Sequence, residues 1–148
     1  MASDSVYIHV SNEGSSVSSY LRYAHDFEVT LPKTLHCPGQ WEMALDNVYY
    51  QGHYISSPPK MLTVHCDLVD NNIINGTESQ VLRRLPYVAS GDLPVHWQFD
   101  HLYYINLITT QIRSVRIRIL DEKGLPTTLS ADSWIYCTLH LRKKNTLL

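Results

Sequence analysis

The chain has 148 residues, with 12 Lys and Arg against 14 Asp and Glu, giving a net charge of −2. That length fits one domain, which buries roughly 68–70% of the surface its unfolded form exposes and needs neither disulfide nor metal to be stable. The near-neutral balance excludes a global basic field for wrapping nucleic acid and an acidic tail for a basic partner, and it leaves little repulsion against self-association. Ten tyrosines stand against two phenylalanines. A ring with a polar tip suits half-wet strands and interfaces, and simple β-propensity accounts for it equally well.

The segment 5–10 alternates, with Val6, Ile8 and Val10 on one face. Residues 11–19 are serine-rich and read as a flexible connection. Residues 18–25 are one of two short helical candidates; 78–82 is the other. A strand over 26–31 has Phe27, Val29 and Leu31 inward and is stopped by Pro32, and Cys37-Pro38-Gly39 is a turn. Residues 41–50 form a long strand with Trp41, Met43 and Leu45 facing one way. After a loop over 51–60, a strand over 61–69 points Leu62, Val64, Cys66 and Leu68 inward. Residues 70–79 are polar and turn-like, 81–88 are a weaker strand, 90–94 a turn, and 103–107 another strand.

The last third carries the strongest pattern. Val115, Ile117 and Ile119 alternate with Ser114, Arg116 and Arg118, and Ile135, Cys137, Leu139 and Leu141 alternate with Trp134, Tyr136, Thr138, His140 and Arg142. A period of two held this long predicts a sheet with one face in a core and the other free. About eight strands with frequent turns and no internal repeat predict an all-β fold, a single eight-stranded antiparallel jelly-roll sandwich. The expected organisation is a flexible N-terminal arm with a short strand over 1–20, the jelly roll over 21–144, and a tail over 145–148.

Catalytic chemistry is not visible. The eight histidines contain no His-x-His pair, the strand spacing that sends two ligands to one face. His25-Asp26 and His36-Cys37 are sequence neighbours, which a strand sends to opposite faces. No glycine-rich phosphate loop or paired-carboxylate motif occurs. The expectation is no enzyme activity, no metal and no cofactor. Arg116 and Arg118 are expected to pair with acidic residues across the sheet; nucleic-acid contact, at most through Arg142-Lys143-Lys144, is not expected. Cys37, Cys66 and Cys137 are expected to be reduced. The N-terminus has no apolar core of a secretory signal, and no run approaches the ~18 apolar residues of a membrane span. The sequon at Asn75-Gly76-Thr77 is expected to be an unglycosylated tight turn.

The residues His25-Asp26-Phe27-Glu28-Val29-Thr30-Leu31-Pro32 and Gly39-Gln40-Trp41-Glu42-Met43-Ala44-Leu45 resemble the opening of the small capsid protein of Polinton (Maverick) elements and related adintoviruses. Leu62-Thr63-Val64-His65-Cys66-Asp67-Leu68-Val69 and Gln80-Val81-Leu82-Arg83-Arg84-Leu85-Pro86 resemble its middle. Residues 112–120, then Asp121-Glu122-Lys123-Gly124 and Thr138-Leu139-His140-Leu141-Arg142-Lys143, resemble its end. The blocks occur in the family's order over about residues 25–144.

The resemblance implies a single jelly roll forming the penton, the five-fold vertex of an icosahedral capsid. Its implied partners are itself, as a homopentamer, and a double-jelly-roll major capsid protein. The implied location is the virion, after synthesis in the host cytoplasm and assembly there or in the nucleus, with no membrane involved. There is no Arg-Gly-Asp motif and no room for a large insertion domain, and Pro126-Thr127-Thr128-Leu129 departs from the family's pattern. Candidate subunit-contact residues are Tyr49, Tyr50, Arg113, Arg116, Arg118, Trp134, Tyr136, His140 and Arg142. The alternative is a jelly-roll lectin or receptor-binding module, with Trp97, Trp134 or tyrosines stacking on sugar rings.

Overall fold

The structure, a computed structural model, describes residues 4–52, 58–74, 76–88, 93–127 and 129–144. Those residues form strands and turns and contain no helix. The strands are β1 (Ser5–Ser11), β2 (Val17–Tyr23), β3 (Asp26–His36), β4 (Trp41–Gln51), β5 (Met61–Cys66), β6 (Asn72–Ile74), β7 (Thr77–Ser79), β8 (Val81–Pro86), β9 (Val95–Gln98), β10 (Ile105–Asn106), β11 (Gln111–Leu120) and β12 (Trp134–Lys143).

Two five-stranded sheets face each other. The first runs β1-β12-β4, with β9 and β10 both pairing β4; the second runs β2-β3-β11-β5-β8. The pairings are antiparallel throughout. Eight strands, β1, β3, β4, β5, β8, β9, β11 and β12, form two interleaved four-stranded sheets, which is the jelly-roll arrangement. Strand β2, the β6–β7 hairpin and β10 are additions to it. In that hairpin Ile74 faces Thr77 across a two-residue turn, where Gly76 has φ +76°. Asn75 lies outside the described residues.

The core fills the space between the sheets. Phe27 from β3, Met43 and Leu45 from β4, Ile112 and Ile117 from β11, and Leu139 and Leu141 from β12 are fully buried. Each comes from the apolar phase of an alternating strand. The three cysteines are free thiols and buried. Burial pushes the Cys66 and Cys137 thiols up to about 12, so both are inert small hydrophobes in the core.

Several expectations change. Residues 4–20 are not a flexible arm: β1 pairs with β12 over its whole length, from Ser5 opposite Arg142 to Ser11 opposite Tyr136. Ile8, Val10 and Val17 are core residues. The alternation of Val6, Ile8 and Val10 is that of a core strand, which detachment would expose. The helical candidate at 18–25 is β2, and the one at 78–82 straddles β7 and β8. Strand β3 also continues through Pro32 to His36. Its register against β11 slips there, from Thr30 opposite Ser114 to Leu35 opposite Ile112, and such an irregularity accommodates a residue without an N–H. Finally, the strand expected at 103–107 is the two-residue β10, and the longer pairing with β4 comes from β9.

Asn12, just after β1, joins the N-terminal segment to the last strand. Its side-chain amide donates to the carbonyls of Ser133 (3.2 Å) and Arg22 (3.4 Å), and its Oδ1 accepts from the Ile135 N–H (2.9 Å). Asn12 is buried, so removing its side chain takes the partner from the buried Ile135 N–H. Asn12→Ala should cost about 2–3 kcal/mol in urea denaturation; a loss below about 0.5 kcal/mol would show that this joint is dispensable.

Candidate interaction surfaces

The two C-terminal strands lie in different sheets, so their outward residues form two opposite surfaces rather than one. The connection between them, residues 121–133, crosses from the second sheet to the first. Arg113, Arg116 and Arg118 belong to one side of the sandwich, and Trp134, Tyr136, His140 and Arg142 to the other.

The first sheet's outer surface is aromatic. At one end Tyr7 stacks on His140, with ring centroids 4.5 Å apart. The Tyr104 hydroxyl lies 2.6 Å from His140 Nδ1, and the Arg142 guanidinium sits 3.5 Å above the Tyr104 ring. Arg142 Nε also donates to Glu42 Oε1 at 2.7 Å. Register explains this meeting, because Arg142 faces Glu42, and His140 faces Ala44 on one side and Tyr7 on the other. At the other end Trp134 makes edge contacts with Tyr49 (5.0 Å) and Tyr136 (5.6 Å), and Tyr49 with His96 (5.8 Å). The Tyr136 hydroxyl donates to Glu13 Oε1 at 2.6 Å. Tyr7, Tyr49 and Tyr136 are 54%, 41% and 45% exposed, so part of each ring is open to solvent.

Tyr50 leaves the candidate set. A β-bulge lies between Thr138–Asn47 and Leu139–Leu45, with Asp46 as the extra residue. It reverses the parity of β4: Trp41, Met43 and Leu45 point inward before it, and Val48 and Tyr50 after it. Tyr49 is thereby turned outward and Tyr50 into the core. The bulged Asp46 carbonyl is not orphaned, since it accepts from the Phe99 N–H (3.2 Å) and Gln98 Nε2 (3.2 Å).

The second sheet's outer surface is charged and largely self-paired. Arg116 grips Asp26 with two bonds, Nε to Oδ1 at 3.0 Å and Nη2 to Oδ2 at 2.9 Å, as expected for cross-strand pairing. The Arg116 N–H donates to Asp67 Oδ1. Arg113 is exposed and Arg118 half-buried. At the edge of this sheet, Arg83 has the core-facing phase of β8, opposite Val64, and staples the loop after β9. It lies over the Phe99 and Tyr103 rings at 3.8 and 4.5 Å and donates to the His101 carbonyl at 2.7 Å.

His65 is the residue on this side that sequence reasoning passed over. It has the outward parity of β5 and yet is 5% exposed. Thr63 Oγ1 donates its one proton to the Leu120 carbonyl (3.1 Å), so toward His65 Nε2, 3.2 Å away, it accepts. That places the ring proton on Nε2 and leaves the buried Nδ1 lone pair without a partner. Among the described residues no group of three or more His, Cys, Asp or Glu is placed to hold a metal ion.

These strands define a single jelly roll. Among solved structures the chain is similar to a crystal structure of selenomethionine-labelled mavirus penton protein, with a TM-score of 0.65 and 7% identity. The match covers 95% of this chain and 100% of that one. Two infectious bursal disease virus structures, of the Gx strain and of a VP2 subviral particle, overlay at TM-scores of 0.34 and 0.26, both at 10% identity. They cover 98% and 93% of this chain and about a third of their own (34% and 32%). The fold assignment rests on the first. No protein-family model and no curated protein matches the sequence.

Burial, with the nearby Arg118 charge, pushes the His65 pKa down to about 4 from an ordinary 6.5. Below pH 6.5 the unfolded chain takes a proton at this ring that the folded chain refuses. Stability is therefore complete above pH 6.5 and falls as the pH drops toward about 4, by up to about 3 kcal/mol in all. Urea midpoints should fall across that window in the parent protein, and His65→Gln should flatten the slope by about one proton. Equal slopes would contradict the assignment.

Proposed function

We propose that the chain is a structural capsid subunit of the penton type, assembling as a homopentamer at the vertices of an icosahedral shell. One observation carries this reading: the similarity to the mavirus penton protein covers 95% of this chain and 100% of that one. The ordered sequence blocks resembling Polinton and adintovirus penton proteins support it independently. So does the exposed tyrosine surface, because large amphipathic rings are the side chains that interfaces favour. The partners are further copies of the chain and a double-jelly-roll major capsid protein, the location is the virion, and the role is structural rather than enzymatic.

Within this reading Tyr7, Tyr49, Trp134 and Tyr136 are the contact residues, with Arg113 contributing from the opposite sheet. Arg116 and Arg142 are already committed to Asp26 and Glu42 and act mainly to hold the surface in shape. Trp134 is a poor sugar platform, since its ring already meets Tyr49 and Tyr136 edge to face.

Native mass spectrometry should find a species of five times 17.0 kDa. Tyr49→Ser combined with Tyr136→Ser should weaken assembly at least about tenfold while leaving the circular dichroism unchanged. A strict monomer at every concentration, with no binding to a co-expressed major capsid protein, would overturn the proposal.

A further inference from the structure

Strand β1 ends the first sheet, and among the described residues no strand lies beyond it. Its main chain is divided between two sides. The Lys143 N–H donates to the Asp4 carbonyl (2.8 Å) and the Asn12 N–H to the Ile135 carbonyl (3.4 Å). In an antiparallel ladder that places Val6, Ile8 and Val10 in the hydrogen-bonded pairs with β12. The main-chain N–H and C=O groups of Tyr7 and His9 therefore point away from β12, toward the free edge. Their side chains leave that edge clear. Tyr7 stacks on His140, and His9 Nδ1 lies 3.1 Å from Thr138 Oγ1, so both lean over β12.

The other edges of the sandwich carry features that discourage pairing. Strands β9 and β10 are only four and two residues long. Strand β2 slips in register between Val17 and Arg22, and β8 carries Arg83 and Arg84 and ends on Pro86. Strand β1 has none of these. Its seven residues, Ser-Val-Tyr-Ile-His-Val-Ser, include no Lys, Arg, Asp, Glu, Pro or Gly. An edge of this kind is a template for a further strand.

An apolar groove of about 290 Å³ lies beside the start of this edge, lined by Val6 of β1, Leu35 of β3, Pro38 and Trp41. Val6 and Leu35 are half-buried and Pro38 is exposed, so the groove is open. Strand β2 accompanies β3 only as far as Thr30, whose N–H donates to the Ser16 carbonyl (3.0 Å). The stretch of β3 that lines the groove therefore has no strand on that side among the described residues. In a strand added along β1, the residue opposite Val6 points inward with it, one strand spacing away and within reach of the groove. Main-chain bonds to Tyr7 and His9 then supply affinity, and the groove selects the sequence.

A second copy of the chain is a poor source of that strand. Its other edges carry the obstacles just described, and pairing β1 with β1 is a two-fold contact, which does not close a ring of five. We propose that the free edge of β1 accepts an extended, uncharged segment of a different protein as an added strand, with a large apolar side chain opposite Val6 seated in the groove. That the donor is a different protein rests on the five-fold reading; that the edge takes a strand does not.

The probe is a capped seven-residue peptide alternating threonine with valine and leucine, added at about 1 mM to the ¹⁵N-labelled full chain and followed by amide hydrogen exchange. The Tyr7 and His9 amides should exchange at least about fivefold more slowly with the peptide, and the Trp41 indole N–H resonance should shift. His9→Pro should fold, because that N–H makes no bond to β12, and the ring on the edge should remove the protection of Tyr7. Leu35→Ser in the groove wall should weaken the peptide's effect about three- to tenfold. Should His9→Pro not fold, the Leu35→Ser comparison decides alone. Protection is expected whether the chain is monomeric or pentameric, so a failure of five-fold assembly leaves this test standing. No protection of Tyr7 and His9, an equal response in the variants, equal protection by the peptide with lysine replacing valine and leucine, or a dimer of the chain joined through β1 would overturn the proposal.

Discussion

The fold depends on β12 being paired along its length from both sides. Its ten residues pair with β4 from Trp134 opposite Gln51 to Lys143 opposite Trp41, and with β1 from Tyr136 to Arg142. With both edges occupied, its alternation is fixed in space: Ile135, Cys137, Leu139 and Leu141 must enter the core, and Trp134, Tyr136, His140 and Arg142 must face out. The neighbours' outward residues are then set by register against it. Tyr7 meets His140 because β1 is in register, and Glu42 meets Arg142 because β4 is. The bulge at Asp46 then lets β4 bring Tyr49 to Tyr136 while burying Tyr50. Asn12 secures the point where the chain leaves β1.

That dependence also explains what could be read from the sequence. Strands β11 and β12 were legible because one face of each is buried and alternation survives intact, and β5 because its apolar residues alternate in sequence although both of its faces are buried. The jelly-roll class followed from the spacing of such strands. What local periodicity cannot carry is the sheet to which a strand belongs. Strands β11 and β12 are consecutive and equally regular, yet they lie on opposite layers, so their outward residues were joined into one surface that does not exist. The N-terminal segment misled for another reason. The serines around β2 resemble a linker, and Val17 alone marks the strand as half-buried. The bulge was hidden because Asp46-Asn47 continues the polar run of a strand edge. A one-residue insertion there reverses the roles of Tyr49 and Tyr50.

The two outer surfaces differ in how much of their chemistry is already spent. On the charged side Arg116 is bound by Asp26 and Asp67, and at the edge of that sheet Arg83 is committed to Phe99, Tyr103 and His101. Such pairs fix shape more than they attract partners, since exposed ion pairs contribute little net free energy. On the aromatic side the tyrosines keep a large exposed fraction while their edges are positioned by neighbouring rings. A preordered aromatic surface of this kind loses little side-chain entropy on association. His65 was invisible in the sequence because the parity of β5 places it outward. Only the hairpin and the β11–β12 connection folding over that face bury it.

The central claim is that these two sheets form one subunit of a five-fold vertex. Electron cryomicroscopy of the purified full-length protein, at concentrations where it self-associates, tests it most directly. The account predicts rings of five jelly rolls about a common axis, with Tyr49 and Tyr136 inside the contacts between neighbouring subunits. Rings of another order, or five-fold rings in which both tyrosines lie fully exposed, would contradict it.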